Sequence, residues 1–393
     1  MILASQTEIF DTDVMGELNR LKIERIKSGS ALLDLSMINP DMTPHRFLMD
    51  KLSEASINPA HHRYSVSRGI RKLRQAFADK YEQKFQATVD PETEICVTMG
   101  MKDALVNLLF CATRPGDTVL LGKPTYPAHL SACRLAGLNL DFFSIDSDPG
   151  TTLRNVQEKI QSSRPSVVLF NFPNNPTGIS VSREFFQQVI AGFSASETLF
   201  VNDFVYGEMG FNGAPQPSLM SAPNASAKCV EIYSLSKAYC VPGWRIGALL
   251  GNPELVSKLA RLKSHIDYGI FLPLQIAAAA ALTCSSDLIS GVVSEYHRRA
   301  RDLTSGLQRL GWRVNAPQAG ASVWASPPEA AASVDNGSFS LALARRLLLE
   351  HSVLVMPGCL FGSEFDSFVR FALVAGCPQI HQVVQRLEIM GAK

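Results

Sequence analysis

Short apolar runs alternate with amphipathic stretches through the middle of the chain. Ile95–Thr98, Thr118–Leu121, Val167–Phe170, Leu199–Val201 and Val230–Tyr233 are almost wholly apolar, as strands covered on both faces must be. Between and around them, Asp103–Cys111, Pro127–Leu135 and Arg183–Ala191 carry helical patterns. This alternation predicts an α/β fold with a mostly parallel sheet, and we place a large domain over residues 46–290. Further on the rhythm changes. Ser294–Leu310 reads as a long charged helix, and Leu341–Glu350 and the stretch from Ile380 as two more. Ala321–Ala325, Val353–Met356 and Phe368–Leu373 read as strands. A smaller α+β domain is therefore expected over residues 291–393, with the N-terminal segment 1–45 packed against it.

Charge and composition narrow the partners. Lysines and arginines number 37 and acids 36, so nothing calls for nucleic acid or an anionic membrane. The longest apolar stretch, Ile270–Cys284, is interrupted by Pro273 and Gln275 and is shorter than the roughly 20 residues of a membrane span. It predicts a buried helix. The first residues, Met1–Asp13, carry acids and no basic run, unlike a secretion signal. The eight cysteines are scattered, with no C-x-x-C pair and no Cys/His cluster. Reduced, buried thiols in a cytoplasmic protein are expected, and no metal site.

In parallel sheets ligands gather beyond the carboxyl ends of the strands. Here polar residues and glycines follow each apolar run: Gly100, Tyr126, Asn171–Gly178, Asp203 and Ser234–Lys237. Lys237 sits among hydroxyls in Ser234-Leu235-Ser236-Lys237. A lysine whose pKa is lowered by burial or nearby cations can hold an aldehyde cofactor as a Schiff base. The serines and Arg245, in Gly243-Trp244-Arg245-Ile246-Gly247, could grip a phosphate. Gly100-Met101-Lys102 lies where a strand gives way to a helix, a natural anion site. Asp203 would suit a protonated pyridine nitrogen, since a buried carboxylate needs a cation. Asn175 could donate to a phenolic oxygen, and Tyr126 offers a flat face to a ring. Singly, each has an ordinary reading: a solvated lysine, a turn at Asn-Pro-Thr-Gly, a helix cap at Asp203, core packing at Tyr126. Their order after successive strands joins them into one site.

The same segments resemble the class I/II aminotransferases of fold type I over nearly the whole chain. The resemblance rests on Tyr64-Ser-Val-Ser-Arg-Gly69 with Leu73-Arg74, Val97-Thr-Met-Gly100, Pro124-Thr-Tyr-Pro127, Asn174-Asn-Pro-Thr-Gly178, Asn202-Asp-Phe-Val-Tyr206, Ser234-Leu-Ser-Lys237 and Phe368-Val-Arg-Phe371. Tyr64–Phe77 and Ser234–Phe271 look most like the alanine and diaminopimelate aminotransferase branch. The resemblance implies a seven-stranded, mostly parallel sheet in the large domain. It implies pyridoxal 5'-phosphate as cofactor, with Lys237 as Schiff-base lysine and proton shuttle and Asp203 on the pyridinium nitrogen. Tyr206 and Asn175 would contact the phenolic oxygen, with Asn175 also facing the substrate, and Tyr126 would stack on the ring. Gly100, Met101, Lys102, Ser234, Ser236 and Arg245 would bind the phosphate, and Arg370 the substrate α-carboxylate. Tyr64 would reach the phosphate of a neighbouring subunit, making a homodimer with shared sites. The implied reaction exchanges the amino group of a small, alanine-like amino acid with a 2-oxo acid such as 2-oxoglutarate or pyruvate.

One departure stands out. In Met37-Ile38-Asn39-Pro40-Asp41, Ile38 occupies the position where the family usually has a glycine against the substrate carboxylate. A branched side chain there narrows the site or redirects the substrate. It keeps open the alternative of a lyase, decarboxylase or oxidase of a specialised biosynthetic pathway on the same scaffold.

Overall fold

The computed structural model describes residues 14–213, 215–284, 287–328 and 337–391. Met1–Asp13, read above as unlike a secretion signal, lies outside them. The strands in chain order are β1 (Leu33–Asp34), β2 (Ile95–Thr98), β3 (Thr118–Lys123), β4 (Asn139–Ser144), β5 (Val167–Phe170), β6 (Leu199–Asp203), β7 (Cys229–Ser234), β8 (Gly247–Gly251), β9 (Arg313–Val314), β10 (Ser322–Ser326), β11 (Val353–Leu354), β12 (Met356–Pro357) and β13 (Val369–Ala372).

Seven of them form one sheet in the order β2-β8-β7-β6-β5-β3-β4. All neighbours are parallel except β8, which runs antiparallel to β2 and β7. The apolar runs behave as their composition requires. Val119, Leu121, Val167 and Leu169 face one buried cluster, and Leu120, Val168 and Phe170 the other, following the two-residue alternation of a strand. The sequence pattern missed β4, whose Asn139 and Ser144 ends are polar, and β8, Gly-Ala-Leu-Leu-Gly. The glycines of β8 are a packing requirement: a Cβ on Gly247 would stand 2.4 Å from Tyr233 O, and one on Gly251 2.3 Å from Cys229 O. Helices cover the sheet, among them Gly100–Ala112, Pro127–Leu135 and Leu272–Thr283. The last is the apolar stretch expected to be a buried helix, and most of its length is buried. Among the described residues no single helix is long and apolar enough to cross a membrane.

A second, antiparallel sheet has the order β12-β13-β10-β9. The N-terminal segment joins this end of the chain. β1 pairs in parallel with β11, and Glu17, on the helix Val14–Lys27, accepts two 2.7 Å hydrogen bonds from Arg345 on the helix Phe339–His351.

Because β2 through β7 all point the same way, their carboxyl ends share one edge. Thr98, Lys123, Phe170, Asp203 and Ser234 end there, and the segments that follow carry the predicted chemistry.

Candidate active site

Along that edge lies a cavity of about 430 Å³ lined by Ile38, Met101, Lys102, Tyr126, Asn175, Asp203, Tyr206, Lys237 and Arg370. A larger cleft of about 1040 Å³ opens at the opposite, amino ends of the strands, around Asp117, Ser166, Leu199 and Lys228. None of the predicted site residues reaches it.

Lys237 stands three residues beyond the end of β7. Its ammonium donates to the carbonyl of Ile38. Burial, with Arg370 and Arg245 adding repulsion, lowers its pKa to about 8. The amine is thereby brought close to a reactive, unprotonated state at neutral pH. Asp203, the last residue of β6, is buried, and its Oδ2 is hydrogen-bonded at 2.8 Å with Nε2 of the buried His129. His129 escaped the sequence reading. Its signal was its place one turn into the helix Pro127–Leu135, which follows Tyr126. The Tyr126 ring packs edge-on against it, centroids 5.4 Å apart. Tyr206 is buried, which raises its hydroxyl well above the usual tyrosine range, so it stays a phenol.

Arg370 comes from β13 of the second sheet, opposite Trp324 and Met356. Its guanidinium is buried, donating to Asn175 Oδ1 at 3.0 Å and to the carbonyl of Ser36 at 2.5 Å. Nε is buried without a partner. A fixed guanidinium with an unused donor, facing a cavity, suits a carboxylate.

At the other end, Gly100 opens the helix Gly100–Ala112 with φ +76°, and a Cβ there would lie 2.7 Å from Arg245 Nη2. Arg245 donates to the carbonyls of Met99 and Pro242 at 3.2 and 3.1 Å. Ser234 Oγ donates to Ser236 Oγ at 2.9 Å. Gly100, Ser234, Ser236 and Arg245 do not line the cavity wall itself; Gly100 directly precedes Met101 and Lys102, which do, and Arg245 packs against Gly100. Underneath, the fully buried Lys263 reaches Asp103 at 3.1 Å, and the Asp103 carboxylate accepts the Met99 N–H at 2.8 Å. Nothing local in the sequence marked Lys263. Met15 and Asn19 on the N-terminal helix, with Met37 and Met356, also line the wall and were likewise unforeseen.

Tyr64 also stands off the cavity wall. It is 91% exposed, lies edge-on to Tyr268 at 5.6 Å, and does not line the cavity.

Pyridoxal phosphate fits these residues. A glycine cradle closed to any Cβ, a helix start and Arg245 suit its phosphate. A buried carboxylate suits its ring nitrogen, and a lysine amine of depressed pKa suits its aldehyde.

The fold and this set of groups define a pyridoxal-phosphate enzyme. The family model "Aminotransferase class I and II" matches residues 31–387, and the chain belongs to that family. It is a pyridoxal 5'-phosphate-dependent aminotransferase acting on amino acids and 2-oxo acids. It is 38% identical over 373 residues to the glutamate-pyruvate aminotransferase AlaC of Escherichia coli (strain K12), covering 94% of this chain and 89% of that one. It is 31% identical over 389 residues to the LL-diaminopimelate aminotransferase of Dehalococcoides mccartyi (strain 195), covering 98% of each. Among solved structures it is similar to substrate-bound BacF from Bacillus subtilis, with a TM-score of 0.88, 28% identity, and coverage of 100% of this chain and 98% of that one.

Proposed function

We propose that the enzyme transfers the amino group of a small, alanine-like amino acid to a 2-oxo acid such as 2-oxoglutarate or pyruvate. The observation that carries this reading is the convergence of Lys237, the Asp203–His129 pair and Arg370 on one cavity. Met15, Met37, Ile38 and Met356 supply apolar wall to the same cavity. These side chains suit a short apolar substituent. The similarity to a glutamate-pyruvate aminotransferase points the same way.

In this reading Lys237 holds the cofactor. Gly100, Met101, Lys102, Ser234, Ser236 and Arg245 hold its phosphate, Tyr126 its ring face, and Tyr206 and Asn175 its phenolic oxygen. When bound, pyridoxal phosphate supplies the electron sink for bond breaking at the substrate's Cα. Arg370, with Asn175 beside it, binds the α-carboxylate and orients the Cα–H bond. Lys237 Nζ takes the Cα proton; an amine of pKa about 8 keeps an unprotonated share at neutral pH for this task. Asp203 keeps a proton on the ring nitrogen, and His129 holds the carboxylate in place. Ile38 removes volume beside the carboxylate.

Domain division belongs to the same proposal: a large cofactor-binding domain over 46–290 and a small domain over 291–393, with residues 1–45 packed on the latter. So does a cytoplasmic homodimer in which Tyr64 completes the neighbour's phosphate site. An exposed Tyr64 remote from its own chain's cavity supports that arrangement, and eight free cysteines accord with a reducing compartment. A panel of amino donors against pyruvate and 2-oxoglutarate tests the proposal. Alanine should lead and acceptor amination should match donor loss. Release of ammonia or a new carbon skeleton in place of amino transfer would overturn it.

A further inference from the structure

We propose that Arg299 is a positioning residue that sets the Ser36–Asp41 segment against Lys237 and Arg370. The inference rests on the assignment of those two residues above.

Arg299 lies on the helix Asp287–Arg309 and is buried. Its guanidinium grips the Asp41 carboxylate at two points, Nη1 to Oδ1 at 2.6 Å and Nη2 to Oδ2 at 3.0 Å. Nη1 also donates to the carbonyl of Leu373 at 2.8 Å, and Nε to Glu295 at 2.8 Å. Its face lies 5.7 Å from the Tyr296 ring. Leu373 directly follows β13, the strand that carries Arg370. One guanidinium therefore ties together a long helix, the end of the carboxylate-binding strand and the strap that begins at β1.

That strap touches the site with its backbone. Its Ser36 carbonyl accepts from Arg370 Nη2, and its Ile38 carbonyl accepts from Lys237. Its first half is registered by pairing: Leu35 N–H donates to Leu354 O, and Leu35 O accepts from Ala372 N–H, both at 2.8 Å. Beyond Leu35 the regular pairing stops; Ser36 N–H is held locally by Asp34 Oδ1 at 2.9 Å, and the next side-chain anchor to a distant element is Asp41. Position along a strap held at two ends is set by both holds. Slackening the Asp41 end lets the two carbonyls drift from the charges they face. A shift of about 1 Å near reacting groups is enough to change rates strongly. The bidentate fork is the reason for arginine here, since a lysine presents a single point charge.

The test compares wild type with Arg299→Lys, Asp41→Asn and the double variant. Asp41→Asn changes no volume and sits at a partly exposed position, so it reports even if Arg299→Lys folds poorly. Each single change should raise KM for the best amino donor roughly tenfold, with a smaller loss in kcat. It should also move the pH midpoint of cofactor capture by the stripped enzyme to lower pH, because the Lys237 ammonium loses the Ile38 carbonyl. The double variant should be no worse than the worse single one, as expected for two residues acting through one contact. Lower melting temperatures with KM and the pH midpoint unchanged, or additive effects in the double variant, would overturn the proposal. A wild type that transfers no amino group from any donor would instead refute the catalytic assignment on which it rests.

Discussion

At Lys237 the charge is opposed first by burial and then by Arg370 and Arg245. Its folded pKa of about 8 lies below the ordinary 10.5. Between those values the unfolded chain holds a proton that the folded chain does not, so the stability of the cofactor-free protein rises with pH across that window. Lys237→Met removes the desolvated charge. In the cofactor-free state it should be more stable than wild type by about 3 kcal/mol at pH 7, with the gap narrowing toward pH 10. Denaturant titrations at several pH values decide this, and equal stabilities would mean that the amine is well solvated. Asp203→Ala should keep some cofactor but slow Cα deprotonation several hundred-fold, the loss of about 3–5 kcal/mol expected when a buried charge partner goes. Stopped-flow absorbance measures that step directly, and a loss of under tenfold would assign the ring nitrogen to another residue. Ile38→Gly should widen the range of amino donors and leave cofactor affinity unchanged. Relief of packing beside the carboxylate is worth about 1–3 kcal/mol for a substrate that needs the room, and identical donor profiles would show that Ile38 does not restrict the substrate.

Among the elements, the helix Gly100–Ala112 is the one whose start must be held for an anion to bind there. Asp103 in its first turn accepts the Met99 N–H, and Lys263, buried on the helix Pro253–Ile266, anchors Asp103 and Asp267 together. Lys263→Met strands two carboxylates without their cation. The expected outcome is a loss of about 3–5 kcal/mol in stability, together with weaker retention of cofactor phosphate. Thermal melts and cofactor dissociation constants measured on the same preparations check both. A melting temperature equal to that of wild type would show that solvent, rather than Lys263, satisfies the two acids.

For the whole molecule, one group among the exposed apolar residues is clustered. Tyr64, Val66, Tyr268 and Phe271 are all exposed. They are linked by the Tyr64–Tyr268 and His62–Phe271 ring contacts and by the backbone approach of Gly269 to Val66. An exposed apolar cluster of this kind is a surface on which another chain would dock. If the partner is a second copy, subunits carrying Tyr64→Phe and subunits carrying Lys237→Ala should complement on mixing. Half of the sites in such a hybrid carry both changes and half carry neither. Activity after refolding the mixture should exceed that of either parent several-fold, and no rise would refute sharing of Tyr64.

Much of this was legible in the chain alone. Alternating apolar runs determined the strands β2, β3, β5, β6 and β7 and their parallel sense, because strands buried on both faces tolerate little else. The polar residues at their ends, Asp203 and Ser234–Lys237 above all, marked the edge where the cavity lies, because ligands of a parallel sheet gather beyond the carboxyl ends of its strands. The strand β8 stayed hidden because its glycines answer to the backbone of β7 and not to any local periodicity. His129 on Asp203, Lys263 under Asp103 and the Ser36 and Ile38 carbonyls on Arg370 and Lys237 stayed hidden for the same reason. Each is a hydrogen bond between residues far apart in sequence, and hydrophobic periodicity records how a residue is covered, not by which distant partner. The tertiary structure alone decided that a strap near the N-terminus, a strand near the C-terminus and the lysine turn between them meet around one cavity.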